Sequence, residues 1–157
     1  MRIKSDCGMT YRHILVPTDG SQRSRKAIKA AARLARCLGA RISAVYVIAE
    51  GVPTFFSGKK LYGSGVLGAE YRKLANAEAQ RALLQAEREA ASAGVPCAAI
   101  QRLARDPWRA ILAAARVRRC DLIVMGTHGR GAVASALLGS QTLKVLAHSR
   151  KPVLVCR

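Results

Sequence analysis

The sequence has few acidic residues, few aromatic side chains and no long apolar stretch. Its uninterrupted apolar runs, such as residues 110–115, are far shorter than the ~20 residues that a membrane-spanning helix needs. No apolar signal-peptide core follows the basic residues near the amino terminus. We therefore expect a cytoplasmic protein without a membrane anchor. The length of 157 residues favours one domain, which we expect at residues 9–157 after an N-terminal tail at residues 1–8.

The cysteines are too few and too widely spaced to indicate a metal site or a disulfide framework. Their number is odd, and no CxxC pair occurs. We expect small buried side chains in a reducing compartment. The five positions are Cys7, Cys37, Cys97, Cys120 and Cys156.

The sequence has only 9 acidic residues and 27 basic residues, which gives a net charge of +18. The excess lies in residues 1–41 and 102–157, whereas residues 42–101 are nearly balanced. Such a charge predicts non-specific binding of polyanions. Aromatic residues make up only 4% of the chain, so stacking platforms for single-stranded nucleic acid are scarce. No helix-turn-helix or zinc pattern adds base-specific recognition.

Strand and helix patterns alternate along the whole chain. A buried strand at residues 13–17 runs into the turn Thr18-Asp19-Gly20-Ser21, and apolar positions then recur at helical spacing as far as Gly39. Residues 50–68 are predicted to be a loop. Alternating strands and helices predict an α/β fold with helices on both faces of a parallel sheet. The remaining strands are predicted at residues 41–48, 95–103, 121–125 and 152–156, with helices starting near Leu67, Pro107 and Ser140.

A glycine-rich segment leaves the fourth predicted strand. It begins Gly126-Thr127-His128-Gly129-Arg130-Gly131 and ends at Gly139-Ser140, where a helix starts. Glycines let backbone N–H groups approach anionic oxygens, and a helix N-terminus adds partial positive charge. The segment therefore suits phosphate, although a surface loop is equally consistent with the segment taken alone.

Two other phosphate motifs fit less well. A P-loop needs GxxxxGK[ST], but Lys60 follows Gly58-Lys59 and Pro53 stands where the first glycine belongs. The dinucleotide pattern GxGxxA does match from Gly129. That pattern also needs an acidic residue about 20 positions later, and no Asp or Glu follows Asp121. NAD is therefore a minor alternative.

The spacing Gly126-x2-Gly129-x9-Gly139-Ser140 resembles the nucleotide-binding motif of the universal stress protein family, in its ATP-binding branch. The resemblance extends over residues 11–157. It implies a Rossmann-like, doubly wound open sheet of five parallel strands in the order 3-2-1-4-5, of the adenine nucleotide alpha hydrolase-like type. In that order the chain reverses between strands 1 and 4, where ligands tend to bind. Further matching segments are residues 13–21, 106–107, 121–126 and 151–155.

The resemblance also implies a set of nucleotide-binding residues. Near the adenine and ribose it puts Pro17, Thr18, Asp19, Val47 and Met125. Near the ribose and phosphates it puts Gly126, Gly129, Arg130, Gly139, Ser140 and Gln141, the last of which departs from the small apolar residue usual in the family.

Two polar side chains of this set allow more than one interpretation. Asp19 is either a ligand for ribose or for a phosphate-bound Mg²⁺, or a turn residue that bonds its own backbone. His128 has no carboxylate or nucleophile at motif spacing, so we expect it to shape the loop rather than act as a general base.

No catalytic residues are predicted, because no Ser-His-Asp triad or carboxylate pair is present. We expect a protein that binds ATP, AMP or ADP, with or without Mg²⁺, and acts in the stress response through nucleotide-dependent protein interactions. Slow ATP hydrolysis stays open. The alternative is a basic nucleic-acid-binding accessory protein whose glycine motif is vestigial.

The last predicted strand is apolar and stands at the sheet edge in the resembled order. An exposed apolar edge favours pairing with another chain, and a two-fold axis closes such an assembly. We therefore expect a homodimer through Val153, Leu154 and Val155.

Overall fold

A computed structural model describes residues 11–50, 54–56, 59–61, 66–129 and 138–157. Its main sheet has five parallel strands in the order β5-β2-β1-β6-β7. This is the 3-2-1-4-5 order of a doubly wound α/β fold, so the predicted fold is confirmed. The elements are β1 His13–Pro17, α1 Gln22–Leu38, β2 Arg41–Ala49, β3 Thr54–Phe56, β4 Lys59–Leu61, α2 Val66–Ser92, β5 Cys97–Ala104, α3 Pro107–Val117, β6 Leu122–Gly126, α4 Ser140–His148 and β7 Val153–Cys156.

The loop predicted at residues 50–68 is wrong in part. Strands β3 and β4 pair antiparallel within it, with Thr54 opposite Leu61. Three-residue strands are too short to give a periodic pattern, whereas the glycines and the proline around them indicate turns. Helix α2 then begins at Val66, one residue before its predicted start.

Two apolar layers sandwich the main sheet. Helices α1 and α2 cover the face that carries Ile14 and Val124, and α3 and α4 cover the face that carries Leu15 and Ile123. Successive residues of a strand point to opposite faces of the sheet, so each face needs apolar side chains where helices cover it. This double coverage explains why β1 and β6 are almost continuously apolar. In the described part of the chain, no helix is both long and apolar enough to cross a membrane.

The cysteines differ in burial, and the expectation of buried thiols is wrong for one of them. Cys120 is buried, Cys97 and Cys156 are half-buried, and Cys37 is exposed; these four are free, and Cys7 lies outside the described residues. Cys37 follows Ala35 by two positions in α1, which turns it about 200° away from the buried face.

Candidate functional site

The carboxyl ends of β1 and β6 lie side by side in the sheet. The two strands pair in parallel, with Leu15 next to Ile123. After β1 the chain continues to β2 on one side, and after β6 it continues to β7 on the other. A crevice forms where neighbouring strands diverge in this way, and it is bordered here by residues 18–21 and 127–129.

Backbone hydrogen bonds fix the turn after β1. The N–H of Thr18 donates to the carbonyl of Val45 at 2.9 Å, and the N–H of Gly20 donates to Thr18 Oγ1 at 3.2 Å. The N–H of Ser21 donates to Asp19 Oδ1 at 3.0 Å. Asp19 therefore is a turn residue that bonds its own backbone, and Ser21 in turn caps α1 by accepting from the N–H of Ser24.

The second carboxylate oxygen of Asp19 lies over Gly129. A Cβ atom at Gly129 would lie only 2.8 Å from Asp19 Oδ2. Any side chain at position 129 would therefore displace this carboxylate. The two interpretations of Asp19 are compatible, because one oxygen holds the turn while the other faces the segment after β6.

The other two motif glycines allow close backbone packing. A Cβ atom at Gly126 would lie 3.1 Å from the carbonyl oxygen of Arg23 in the first turn of α1. A Cβ atom at Gly139 would lie 3.2 Å from the Cα of His128, and the Gly139 N–H donates to the carbonyl of Thr127 at 2.7 Å. These glycines bring the N-termini of α1 and α4 to the end of β6.

Helix α4 presents its N-terminus at the same crevice. Its N-cap is Gly139, which has no side chain to bond the first amides, and its first turn contains no acidic residue. The hydroxyl of Thr142 donates to the carbonyl of Gly126 at 3.0 Å and fixes this helix end against β6. The amides of such a helix end carry about half a positive charge and bind anions readily.

His128 is one of the residues that border the crevice, and only 9% of its surface is exposed. Neither of its ring nitrogens has a hydrogen-bond partner among the described residues. A buried polar group without a partner costs about 1–3 kcal/mol. The position therefore favours a polar group from outside the described residues.

Gln141 has a structural role that the sequence does not reveal. Its Oε1 accepts a hydrogen bond from the backbone N–H of Trp108 at 3.1 Å. Trp108 lies in the first turn of α3, whose N-cap Asp106 makes no side-chain capping bond. Gln141 therefore caps α3 from α4. Trp108 also stacks on His148, with ring centroids 4.7 Å apart, and so packs α3 further against α4.

The remaining predicted residues lie at the same end of the sheet. Pro17 ends β1, and Met125 precedes the last residue of β6. Met125 belongs to the apolar cluster under α3 and α4, and the half-buried Val47 packs against that cluster. Ser140, the first residue of α4, is exposed. Arg130 lies outside the described residues.

The universal stress protein family model matches residues 10–157. A universal stress protein from Thermus aquaticus is 38% identical over 94% of this chain and 99% of its own length. Universal stress protein MJ0531 from Methanocaldococcus jannaschii is 35% identical over 94% of this chain and 82% of its own length.

Solved structures show the same fold. Universal stress protein UspA from Lactobacillus plantarum superposes with a TM-score of 0.78 at 27% identity, over 95% of this chain and 99% of that one. At 23% and 21% identity, a universal stress protein in complex with cAMP and one from Archaeoglobus fulgidus in complex with dAMP match with TM-scores of 0.66 and 0.67. They cover 95% of this chain and 98% and 100% of theirs. With the family model matching nearly its whole length, the chain belongs to the universal stress protein family.

Proposed function

We propose that the crevice at the carboxyl ends of β1 and β6 binds an adenine nucleotide, with ATP as the main ligand and AMP or ADP as alternatives. The convergence of Asp19 Oδ2, Gly129 and the uncapped N-terminus of α4 carries this proposal. The structural neighbours whose ligands are cAMP and dAMP support an adenine nucleotide. The protein then acts in the stress response through nucleotide-dependent contacts with other proteins.

The residues present fit the parts of a nucleotide. The first-turn amides of α4, at Ser140 and Gln141, suit phosphate oxygens, and Gly129 leaves space for them. Asp19 Oδ2 suits a ribose hydroxyl or a phosphate-bound Mg²⁺, both of which carboxylates bind. A ligand hydroxyl or phosphate oxygen would also satisfy a ring nitrogen of His128, which lacks a partner within the described ranges.

The remaining residues of the predicted set are assigned to the adenine base and to the phosphates. Pro17, Thr18, Val47 and Met125 are proposed to border the adenine, because Met125 belongs to the apolar cluster under α3 and α4 and the half-buried Val47 packs against that cluster. Arg130 is proposed as a phosphate partner from its place in the motif. For Gln141, the backbone amide rather than the side chain is the proposed contact, because its Oε1 is bonded to Trp108.

The site is better suited to holding ATP than to turning it over quickly. His128 and Asp19 each serve the fold, one as a buried loop residue and one as a turn residue. We propose a nucleotide-binding protein in which any hydrolysis is slow.

We further propose that the protein is a homodimer through β7. This strand is at one edge of the main sheet, and Leu154 on it is 43% exposed. Met125 and Val155 pair in the register of β6 and β7, and the carbonyl of Cys156 accepts from the N–H of Thr127 at 3.0 Å. The edge strand is therefore bonded to the backbone just before Gly129, which gives nucleotide binding a route to the dimer interface.

Native mass spectrometry of the freshly purified protein tests the nucleotide proposal. We expect a fraction of the molecules to carry the mass of an adenine nucleotide, and denaturation should release that nucleotide for identification. Protein that carries none, and that shows no mass increase after incubation with ATP and Mg²⁺, would contradict the proposal.

A further inference from the structure

A row of basic side chains follows the amino edge of the main sheet, opposite the nucleotide crevice. Arg41 starts β2, Arg12 precedes β1, Arg118 and Arg119 precede β6, and Lys151 precedes β7. All five side chains are exposed. These four strands are consecutive neighbours in the sheet, and neighbouring strands lie about 4.8 Å apart. The basic residues therefore stand near the starts of four adjacent strands, in order across the edge.

The row borders an open groove, which we call the amino-edge groove. Two adjoining depressions of about 600 and 390 Å³ share His13, Arg41, Pro96 and Arg119 in their walls. Backbone bonds tie these walls together, since the N–H of Arg41 donates to the carbonyl of Arg12 at 3.0 Å. The basic residues that line the two depressions are Arg12, Arg36, Arg41, Arg118 and Arg119.

His13 lies in the wall of both depressions, yet only 7% of its surface is exposed. Its Nε2 is hydrogen-bonded to Ser43 Oγ at 2.8 Å, whereas its Nδ1 has no partner in the described part of the chain. Burial lowers the pKa of His13, and the charge of Arg41 lowers it further, against the raising effects of the Arg118 carbonyl and Asp121. The buried ring of His13 therefore lies in the wall of the groove, where the charge of Arg41 acts on it.

The same basic residues also affect the pKa of the buried thiol of Cys120. Burial and then Asp121 raise its pKa to about 11, whereas Arg41, Arg118 and Lys151 lower it. Cations from the starts of three strands thus act on one thiol. Asp121 is already engaged, because it accepts from the backbone N–H groups of Arg12 at 2.8 Å and of His13 at 3.1 Å.

Helix dipoles explain part of this charge but not all of it. The C-termini of α1 to α4 face the amino edge, and each carries about −0.5 charge, so together with Asp121 they offset about three positive charges. Glu87, whose charge acts on Cys97 in the wall of the groove, offsets about one more, so an excess of about three remains at this edge. No salt bridge within 4.0 Å to these basic groups occurs between described residues. The seven cations are Arg12, Arg36, Arg41, Arg118, Arg119, Arg150 and Lys151.

We propose that the amino-edge groove binds the phosphodiester backbone of a nucleic acid strand without reading its sequence. A strand carries charges at regular intervals, which suits a row of cations better than a single phosphate does. Most of the cations are arginines, whose planar guanidinium groups pair bidentately with phosphate. With aromatics at 4% of the chain, stacking on bases contributes little.

Fluorescence anisotropy with a labelled single-stranded oligonucleotide of mixed sequence tests this proposal across a series of salt concentrations. The test variant is Arg41→Ala/Arg118→Ala/Arg119→Ala. The matched control is Arg72→Ala/Lys73→Ala/Arg81→Ala, which removes the same charge from exposed positions on α2. We expect the test variant to bind at least tenfold more weakly and its salt slope to fall by about 2, because each lost contact contributes about 0.7. The control should change less than about threefold.

Equal weakening in the two variants would overturn the proposal, because it would make total charge the cause. Absence of binding by the wild type at low salt would also overturn it. So would competition by inorganic phosphate or poly-glutamate as effective as unlabelled oligonucleotide at equal charge, because the groove would then accept any anion. We also expect the pKa of His13, measured by NMR titration, to rise when the oligonucleotide binds.

The oligonucleotide-binding test and the ATP-binding test can fail independently of each other. The amino-edge variant should keep the ATP affinity of the wild type, because its substitutions lie at the opposite end of the strands. A Gly129→Val variant should keep the oligonucleotide affinity. A failure at either edge therefore leaves the other proposal standing.

Discussion

Asp19 and Gly129 meet across the ends of two neighbouring strands, with Asp19 Oδ2 only 2.8 Å from the position that a Cβ of residue 129 would occupy. The two residues are far apart in the sequence and are joined by the pairing of β1 with β6. The same carboxylate accepts from the N–H of Ser21 through Oδ1. One side chain therefore holds the turn after β1 and lies over the backbone after β6.

An Asp19→Asn substitution separates these two roles. The amide oxygen still accepts from Ser21, so the free energy of unfolding should change by less than about 0.5 kcal/mol. The lost charge should weaken binding of Mg-ATP about tenfold, because hydrogen bonds to charged groups contribute about 1.5–3 kcal/mol. Urea unfolding and calorimetry measure the two effects. Unchanged ATP affinity would remove Asp19 from the binding site.

Removing the remote cap of α3 should destabilise the fold. Gln141→Ala deletes the acceptor for the N–H of Trp108 and should lower the free energy of unfolding by about 1 kcal/mol. Gln141→Glu keeps an acceptor oxygen and is the control. ATP affinity should be nearly the same in Gln141→Ala as in the wild type, because only a backbone amide is proposed to contact the ligand; Gln141→Glu, which adds a negative charge beside the proposed phosphates, is a control for stability alone. A stability of Gln141→Ala equal to that of the wild type would refute the capping role.

His13 should make the protein less stable in mild acid. Its pKa in the folded protein lies below the value of about 6.5 expected in the unfolded chain. Above that value both states are neutral, and as the pH falls below it the unfolded chain takes up the proton more readily. The free energy of unfolding should therefore fall with pH until the pKa of the folded state is passed. Urea unfolding from about pH 8 to about pH 5.5 measures this decrease.

His13→Gln is the control for this pH dependence. Glutamine can still bond Ser43 but does not titrate, so the stability profile over this interval should be flatter than that of the wild type. Identical profiles for the two proteins would assign the pH dependence to other groups.

The proposed dimer should be sensitive to the exposed side chain of β7. Val153 packs against the apolar cluster under α3 and α4, so a charge there would also threaten folding, whereas Leu154 is 43% exposed. Leu154→Asp should convert a dimer into a monomer of 16.8 kDa by light scattering. Leu103→Asp, on the opposite edge strand β5 and 53% exposed, should remain a dimer. A monomeric wild type, or a dimeric Leu154→Asp, would exclude this interface.

The order of elements and the main strands could be predicted from the sequence, because apolar periodicity reports which residues face a core. Residues 13–17 illustrate this, since their predicted bounds are those of β1, and α4 likewise begins at the predicted Ser140. The strand order followed from the resemblance to a family, because periodicity does not determine which strands pair. The β3–β4 pair was missed because strands of three residues have no measurable period.

The cap of α3 and the row of basic residues depend on contacts between residues far apart in the sequence, so the sequence did not reveal them. Gln141 and Trp108 are 33 positions apart, and only the packing of α3 on α4 joins them. The basic residues of the amino edge are scattered from Arg12 to Lys151 and become a row only in the sheet. One signal was available, because Arg12, Arg41, Arg119 and Lys151 each stand at the start of a predicted strand or within two positions before it.

Calorimetric titration of ATP with Mg²⁺ into the wild type and Gly129→Val tests the central claim most directly. A valine at this position displaces Asp19 and fills the space proposed for the phosphates. The control is Ala99→Val, at an exposed position of strand β5. We predict at least tenfold weaker binding for Gly129→Val, which is at least ~1.4 kcal/mol, and wild-type affinity for Ala99→Val. Equal ATP affinity in the wild type and Gly129→Val, with both folded, would contradict the account.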